Sequence, residues 1–276
     1  MPLTITYNSK KFIKSSAIEQ VQWPKADSNG GCLAQQCLEN TVFAIQTTRL
    51  SASHDVSDLI SPYQAFNLGL HVGDCAEKVK KNRQSLQNIL PVDTDIQWLE
   101  QVHGNEVVEI SNVSQQSIIA DAVITRAKKV CLAIMTADCL PILLISKSGD
   151  EIAAIHGGWR PLSANIIGNT INRMQTAAED IYAWLGPCIS KNAFEVGSEV
   201  KAQFIQQNDS FNAAFFEQPQ GKFLADLHKI AEIQLNALGV KQISKLAECT
   251  YLNTDKYYSY RKESVTGRMA SLICLL

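Results

Sequence analysis

Five side chains of this sequence stand where their types and surroundings allow chemistry. His71 lies within Asn67-Leu68-Gly69-Leu70-His71-Val72-Gly73-Asp74, His103 within Gln101-Val102-His103-Gly104-Asn105, and His156 opens His156-Gly157-Gly158-Trp159-Arg160. Cys139 follows Asp138 in Thr136-Ala137-Asp138-Cys139-Leu140-Pro141. Glycine next to a polar side chain lets backbone and ligand approach closely. Taken singly, each histidine reads equally well as a hydrogen-bonded residue at a strand end. Taken together, one cysteine and two histidines make a borderline-soft donor set suited to zinc, and three protein ligands leave a fourth position open for chemistry. The spacing matches no finger-type motif. Asp138 needs a partner or a task, because it interrupts an otherwise apolar run.

The elements that must position these residues follow from the apolar pattern. The stretch Val130–Pro161 holds apolar segments of strand length, with Lys147-Ser148-Gly149-Asp150 as turn chemistry, and predicts an antiparallel hairpin that sets Cys139 beside the strand of His156. Strands are also expected at Thr41–Thr47, from Ile96 to Leu99, at Val107–Ile110, Ala120–Thr125 and Ile181–Leu185, and from Arg268 to the C-terminus. The spacing predicts helices over Ala76–Leu90, Leu162–Ala178, Asn192–Ile205 and Ala225–Leu238, the last stopped by Gly239. Trp23–Gly31 reads as a surface loop and Leu50–Tyr63 as a polar, irregular one. No repeat, low-complexity tract or linker divides the 276 residues, so one mixed α/β domain over 1–276 is expected.

Composition narrows the function. The chain is 46% hydrophobic and 19% charged, with a formal net charge of -2. That balance argues against a nucleic-acid binder working through a general electrostatic footprint. Met1–Lys14 has no long apolar core of the kind secretion needs, and eight scattered cysteines without a CxxC pair suit a cytoplasmic protein with reduced thiols. The longest apolar run, Val130–Ile145, is broken by Asp138 and Pro141 and is too short to span a bilayer.

The four segments around His71, His103, Cys139 and His156 resemble the signature blocks of the YfiH/laccase-domain family. Gly186-Pro187-Cys188-Ile189, Phe194-Glu195-Val196-Gly197, Ser259-Tyr260-Arg261-Lys262 and Thr266-Gly267-Arg268 resemble its later blocks, in the family's order, from Thr41 to the C-terminus. The resemblance implies a layered α/β/β/α domain related to a group of cysteine hydrolases, and a zinc ion held by His71, Cys139 and His156. It implies purine nucleoside phosphorolysis, with deamination of adenosine and cleavage of methylthioadenosine, and so purine nucleosides and phosphate as partners. Older family labels are polyphenol oxidase and, in one branch, peptidoglycan editing factor. The chain departs from the family pattern after Arg49, where Leu50-Ser51-Ala52 replaces glycines, and at Pro161, where glycine is usual.

Phosphorolysis passes through a cation-like ribosyl centre, so the site must hold an anion on one side and stabilise the departing base on the other. Arg49 and Arg160 are the candidates for the anion, since a guanidinium matches phosphate oxygens in pairs. Asn67 is a candidate for ribose or phosphate. His103 is a candidate proton donor, or a group that orients a ligand from behind, and Asp138 one that orients a ligand or takes a proton. In deamination zinc would activate water. Three rival readings stand beside this one. A hydrolase with Cys139 as nucleophile and a histidine as base needs a free thiol. A copper oxidase needs more imidazoles than five histidines supply. A non-catalytic binding module leaves the clustered His, Cys and Gly unexplained.

Overall fold

The architecture was taken from a computed structural model that describes residues 17–24, 40–50, 61–63 and 65–276. The expected loops at Trp23–Gly31 and Leu50–Tyr63 fall largely outside the described residues, as does the Leu50-Ser51-Ala52 departure beyond Leu50.

Two sheets carry the molecule. The first has five strands: β1 (Ile18–Gln20), β2 (Val42–Thr47), β16 (Met269–Leu275), β8 (Val130–Thr136) and β3 (Asp95–Gln97), in that spatial order. The second has six: β15 (Gln242–Lys245), β11 (Ile181–Leu185), β9 (Leu140–Ser146), β10 (Ile152–Gly157), β7 (Ala122–Thr125) and β5 (Val107–Ile110). Both are mixed, since β3 runs parallel to β8, β5 to β7 and β15 to β11, while the remaining pairs are antiparallel. Smaller sheets join β4 (Leu99–Glu100) with β6 (Ile118–Ile119), and β12 (Glu195–Val196) with β13 (Phe215–Gln218) and β14 (Lys222–Ala225).

Alternation along the strands builds the layers. In β8, Leu132 and Ile134 point into the core shared with Leu143, Ile145 and Ala154 of the second sheet. Cys131, Ala133 and Met135 point the other way, toward Leu86 of helix α1 (Ala76–Gln87). In β9, Leu140, Ile142 and Leu144 leave the inter-sheet core and pack under α3 (Ile166–Arg173) and α5 (Leu227–Leu238). A strand with both faces buried gives a continuous apolar run. The order is therefore helix, sheet, sheet, helices, the expected α/β/β/α arrangement.

Three expectations on the elements around the site are refined. The hairpin is present, with β9 and β10 in antiparallel register and His156 opposite Pro141. The run Val130–Ile145, however, is two strands in different sheets, divided at Ala137–Cys139, where Asp138 adopts φ 94°. The helix expected over Leu162–Ala178 is also two: α2 (Trp159–Ser163) and α3, separated by Asn165 in the left-handed region, which asparagine tolerates better than most residues. Pro161 sits in the first turn of α2, where a missing N–H costs nothing. Of the helix expected over Asn192–Ile205, only α4 (Ser198–Ile205) forms, because Glu195–Val196 pairs with β14. Among the described residues no helix is long and apolar enough to cross a membrane.

Candidate metal centre and cavity

The break between β8 and β9 delivers Cys139 to the end of the hairpin, and β10 delivers His156 beside it. His103 arrives from the turn after β4. The ligand atoms of His103, Cys139 and His156 lie within 4.8 Å of one another, and these three form a group that could hold a metal ion. Cys139 Sγ is 3.9 Å from His103 Nε2, and the two imidazoles meet edge to face at 4.6 Å between centroids. This triad differs from the expected one in its first member: His103 stands where the resemblance put His71.

Asp121, fully buried just before β7, organises the centre. One carboxylate oxygen accepts from His156 Nδ1 at 2.7 Å, and the two oxygens together accept from the backbone N–H groups of Val102, His103 and Gly104 at 3.3, 3.0 and 2.7 Å. One carboxylate thereby fixes the His156 ring and holds the His103 turn, in which His103 itself has φ 59°. The amide of Gln101 clamps the same turn to β8, donating to Met135 O and accepting from Met135 N, both at 2.8 Å. Gly158 makes room for the closest approach: a Cβ there would sit 3.1 Å from Cys139 Sγ and 3.3 Å from His103 Cδ2. Sequence reading missed Asp121, although a carboxylate at the edge of the apolar run Ala120–Thr125 is the same signal that drew attention to Asp138.

The electrostatics follow from this packing. Burial pushes the Cys139 thiol up, but the positive charge of His156 and hydrogen bonds from both histidines prevail and bring it down to about 6. Burial lowers His156, yet the Cys139 thiolate and the Asp121 carboxylate raise it to about 9. In the metal-free protein, thiolate and imidazolium therefore coexist between about pH 6 and about pH 9. The depressed thiol's share of stability fades as pH falls through about 6, and the raised imidazole's share fades as pH rises through about 9. Alkylation of Cys139 in metal-stripped protein is accordingly expected to show a midpoint near pH 6, read by mass spectrometry on the Cys139 peptide with the exposed Cys75 counted separately. A midpoint near the ordinary thiol value of 9.0 would contradict the pairing.

The three residues open onto a cavity of about 760 Å³, within the usual range for small-molecule sites. Of the residues singled out in the sequence, His71, His103, Asp138, Cys139, His156 and Arg160 are on its wall. Arg49 and Asn67 are not. Arg49 is buried, donates from Nη1 to Thr254 O at 2.7 Å and lies 4.9 Å over the Tyr258 ring. The Asn67 side chain bonds Gly69, Asp74 and Arg268, a bracing role within the protein. Asp138 lines the cavity with its carboxylate already engaged, Oδ1 accepting from the Thr250 hydroxyl at 2.6 Å and Oδ2 from Arg261 N–H at 2.7 Å. Those contacts suit positioning of the Arg261 loop better than proton transfer. Arg160 is exposed and stacks 4.6 Å from the Trp159 ring.

Comparison with known proteins places this arrangement among relatives. The family described as multi-copper polyphenol oxidoreductase laccase matches residues 44–276. The chain is 40% identical over 217 residues to the purine nucleoside phosphorylase YfiH of Escherichia coli K12, covering 79% of this chain and 89% of that protein. It is 41% identical over 218 residues to a purine nucleoside phosphorylase of Haemophilus influenzae, covering 78% and 88%. Among solved structures, a Neisseria meningitidis protein superposes with a TM-score of 0.82 at 37% identity, over 94% of this chain and 99% of that one. YlmD of Geobacillus stearothermophilus superposes with a TM-score of 0.76 at 25% identity, over 93% and 99%.

Proposed function

The chain belongs to the YfiH/laccase-domain family, and from that membership and the cavity we propose that it is a zinc-dependent purine nucleoside phosphorylase. Inosine, adenosine and methylthioadenosine are the proposed substrates with phosphate, and adenosine deamination a side activity. The observation that carries the reading is the His103–Cys139–His156 group opening onto a cavity of nucleoside size.

The donor set fits zinc. A thiolate and two imidazoles are soft to borderline ligands, His156 is fixed from behind by Asp121, and three ligands leave an open position. When bound, zinc supplies Lewis acidity to a base or water facing that position. The rest falls to the chain. Phosphorolysis breaks the ribose–purine C–N bond, moves that electron pair and one proton to the base, and forms a C–O bond from phosphate to the sugar. Arg160 and the other cationic groups on the wall favour the anion, and Leu70, Trp159, Phe194 and Tyr260 supply apolar surface for the base. A multi-copper oxidase does not fit: among the described residues one group of three ligands is present, and the whole chain has five histidines.

One observation favours a second reading. Cys139, His156 and Asp121 together resemble a thiol nucleophile with an oriented imidazole, and the thiol is depressed to about 6. Product chromatography separates the two. Phosphorylase chemistry gives hypoxanthine from inosine only when phosphate is added, with ribose 1-phosphate as co-product, and stops when chelators strip the metal. Phosphate-independent cleavage by metal-free protein would reject it in favour of the thiol hydrolase.

A further inference from the structure

The cavity wall also carries two arginines to which the sequence reading gave no role. Arg83, from α1, stacks 3.9 Å over the Trp98 ring, donates from Nε to Leu68 O at 2.9 Å and touches Met135 Sδ at 3.7 Å through Nη2. Arg268, at the entrance to β16, donates from Nη1 to Thr266 O and Gly267 O at 3.1 and 2.9 Å. Neither forms an ion pair with a carboxylate among the described residues. Both are only partly exposed. A guanidinium has five N–H donors, and each of these commits two, so three on each remain unspent. A partly buried charge without a counter-ion is costly unless something pairs with it.

The surrounding structure fixes both groups in advance. Asn67 Oδ1 accepts from Gly69 N and Arg268 N, both at 2.9 Å, and Asn82 of α1 donates to Asn67 O at 2.9 Å. The Asn67–His71 turn thus ties α1 to β16. Gly69 is required there, since a Cβ would lie 2.9 Å from Arg268 Cγ. His71 is on the same wall, held below its ordinary value by burial first and then by Arg268 and Arg83, which makes it a neutral hydrogen-bonding group among cations. Glu100 shares this wall, exposed and opposing the positive charge in part. Arg160 and Arg261 also reach the cavity but are exposed, so Arg83 and Arg268 are the better anchored pair.

We infer that Arg83 and Arg268, with His71 beside them, form the oxyanion subsite of the cavity and hold the phosphate group, free or as the product's ester. The inference rests on the phosphorylase reading for its biological meaning, though not for its test. Two rigid guanidinium forks suit a tetrahedral oxyanion, and both line the cavity onto which the Cys139 group opens.

The test uses the full chain in two measurements. Calorimetric titration with inorganic phosphate is expected to show binding that Arg83→Gln and Arg268→Gln each weaken by about 10–100-fold, with Arg83→Lys intermediate because it keeps charge but loses the fork. Steady-state kinetics are expected to show the same rise in KM for phosphate with little change in KM for inosine. Lys147→Gln, a surface cation at the β9–β10 turn, is the charge control and is expected to bind phosphate as the parent does. Circular dichroism and melting curves identify any variant that fails to fold, and Arg83→Lys then decides. Unchanged phosphate affinity in folded variants, or equal weakening by Lys147→Gln, overturns the subsite. Phosphate binding lost in the variants, from a protein without phosphate-dependent turnover, keeps the subsite and rejects the phosphorylase reading instead.

Discussion

Replacing Cys139 by serine is expected to remove most of the bound metal and to depress inosine phosphorolysis by more than the roughly 10–100-fold typical of changes one layer out from a metal. The hydroxyl of serine is a far poorer zinc ligand than a thiolate, and it would not ionise between His103 and His156 as Cys139 does. The fold itself should persist, because Cys139 is partly exposed at the start of β9 and the substitution is nearly isosteric. Metal analysis and activity are read on the same preparation. The thiol-hydrolase reading also predicts lost activity, but from a parent enzyme indifferent to chelators. Stoichiometric metal in the Cys139→Ser protein would contradict the ligand assignment.

Asp121→Ala is expected to damage both the centre and the fold. Its carboxylate accepts from one imidazole and three backbone N–H groups. Removing it strands those donors in or near the interior, a loss on the order of 3–5 kcal/mol by analogy with breaking a buried charged pair. Burial pushes the Asp121 carboxyl up, but the His156 contact and the Gly104 and His103 N–H bonds win and hold it below the ordinary range. Its contribution is therefore present at neutral pH and fades only as pH falls through that lowered value. Asp121→Asn keeps the size and some acceptors, so it should melt closer to the parent while still losing about 10–100-fold in metal affinity. Thermal melts with metal titration separate the two effects. Parent-like metal affinity in Asp121→Asn would show that the carboxylate's charge does not matter to the centre.

The parts of this architecture legible in the sequence were those with a strong period. Val107–Ile110 and Ile181–Leu185 form strands over the expected residues, and Leu227–Leu238 forms the expected helix with Asp226 capping it and Gly239 in the left-handed region after it. The short strands Phe215–Gln218, Lys222–Ala225 and Gln242–Lys245 were not legible, because their solvent faces are polar and they lie at sheet edges or in a small sheet. In the site, Cys139 and His156 were readable because one hairpin carries both. The third member was not. His71 and His103 sit in similar glycine-rich turns, and what separates them is a carboxylate seventeen or more residues downstream that grips the His103 turn. No local pattern encodes that contact. Arg83 gave no signal either, since an arginine on a polar helix face reads as solvent-exposed, and its stacking on Trp98 depends on how α1 meets the first sheet.

The metal ligands proposed for this chain are His103, Cys139 and His156. The most direct measurement is the zinc content of purified His103→Ala and His71→Ala proteins beside the parent. About one zinc per chain is expected in the parent, with near-complete loss in His103→Ala and retention in His71→Ala, whose side chain lies outside the group of ligand atoms that could hold the ion. Zinc retained by His103→Ala and lost from His71→Ala would contradict that assignment and return the ligand role to His71.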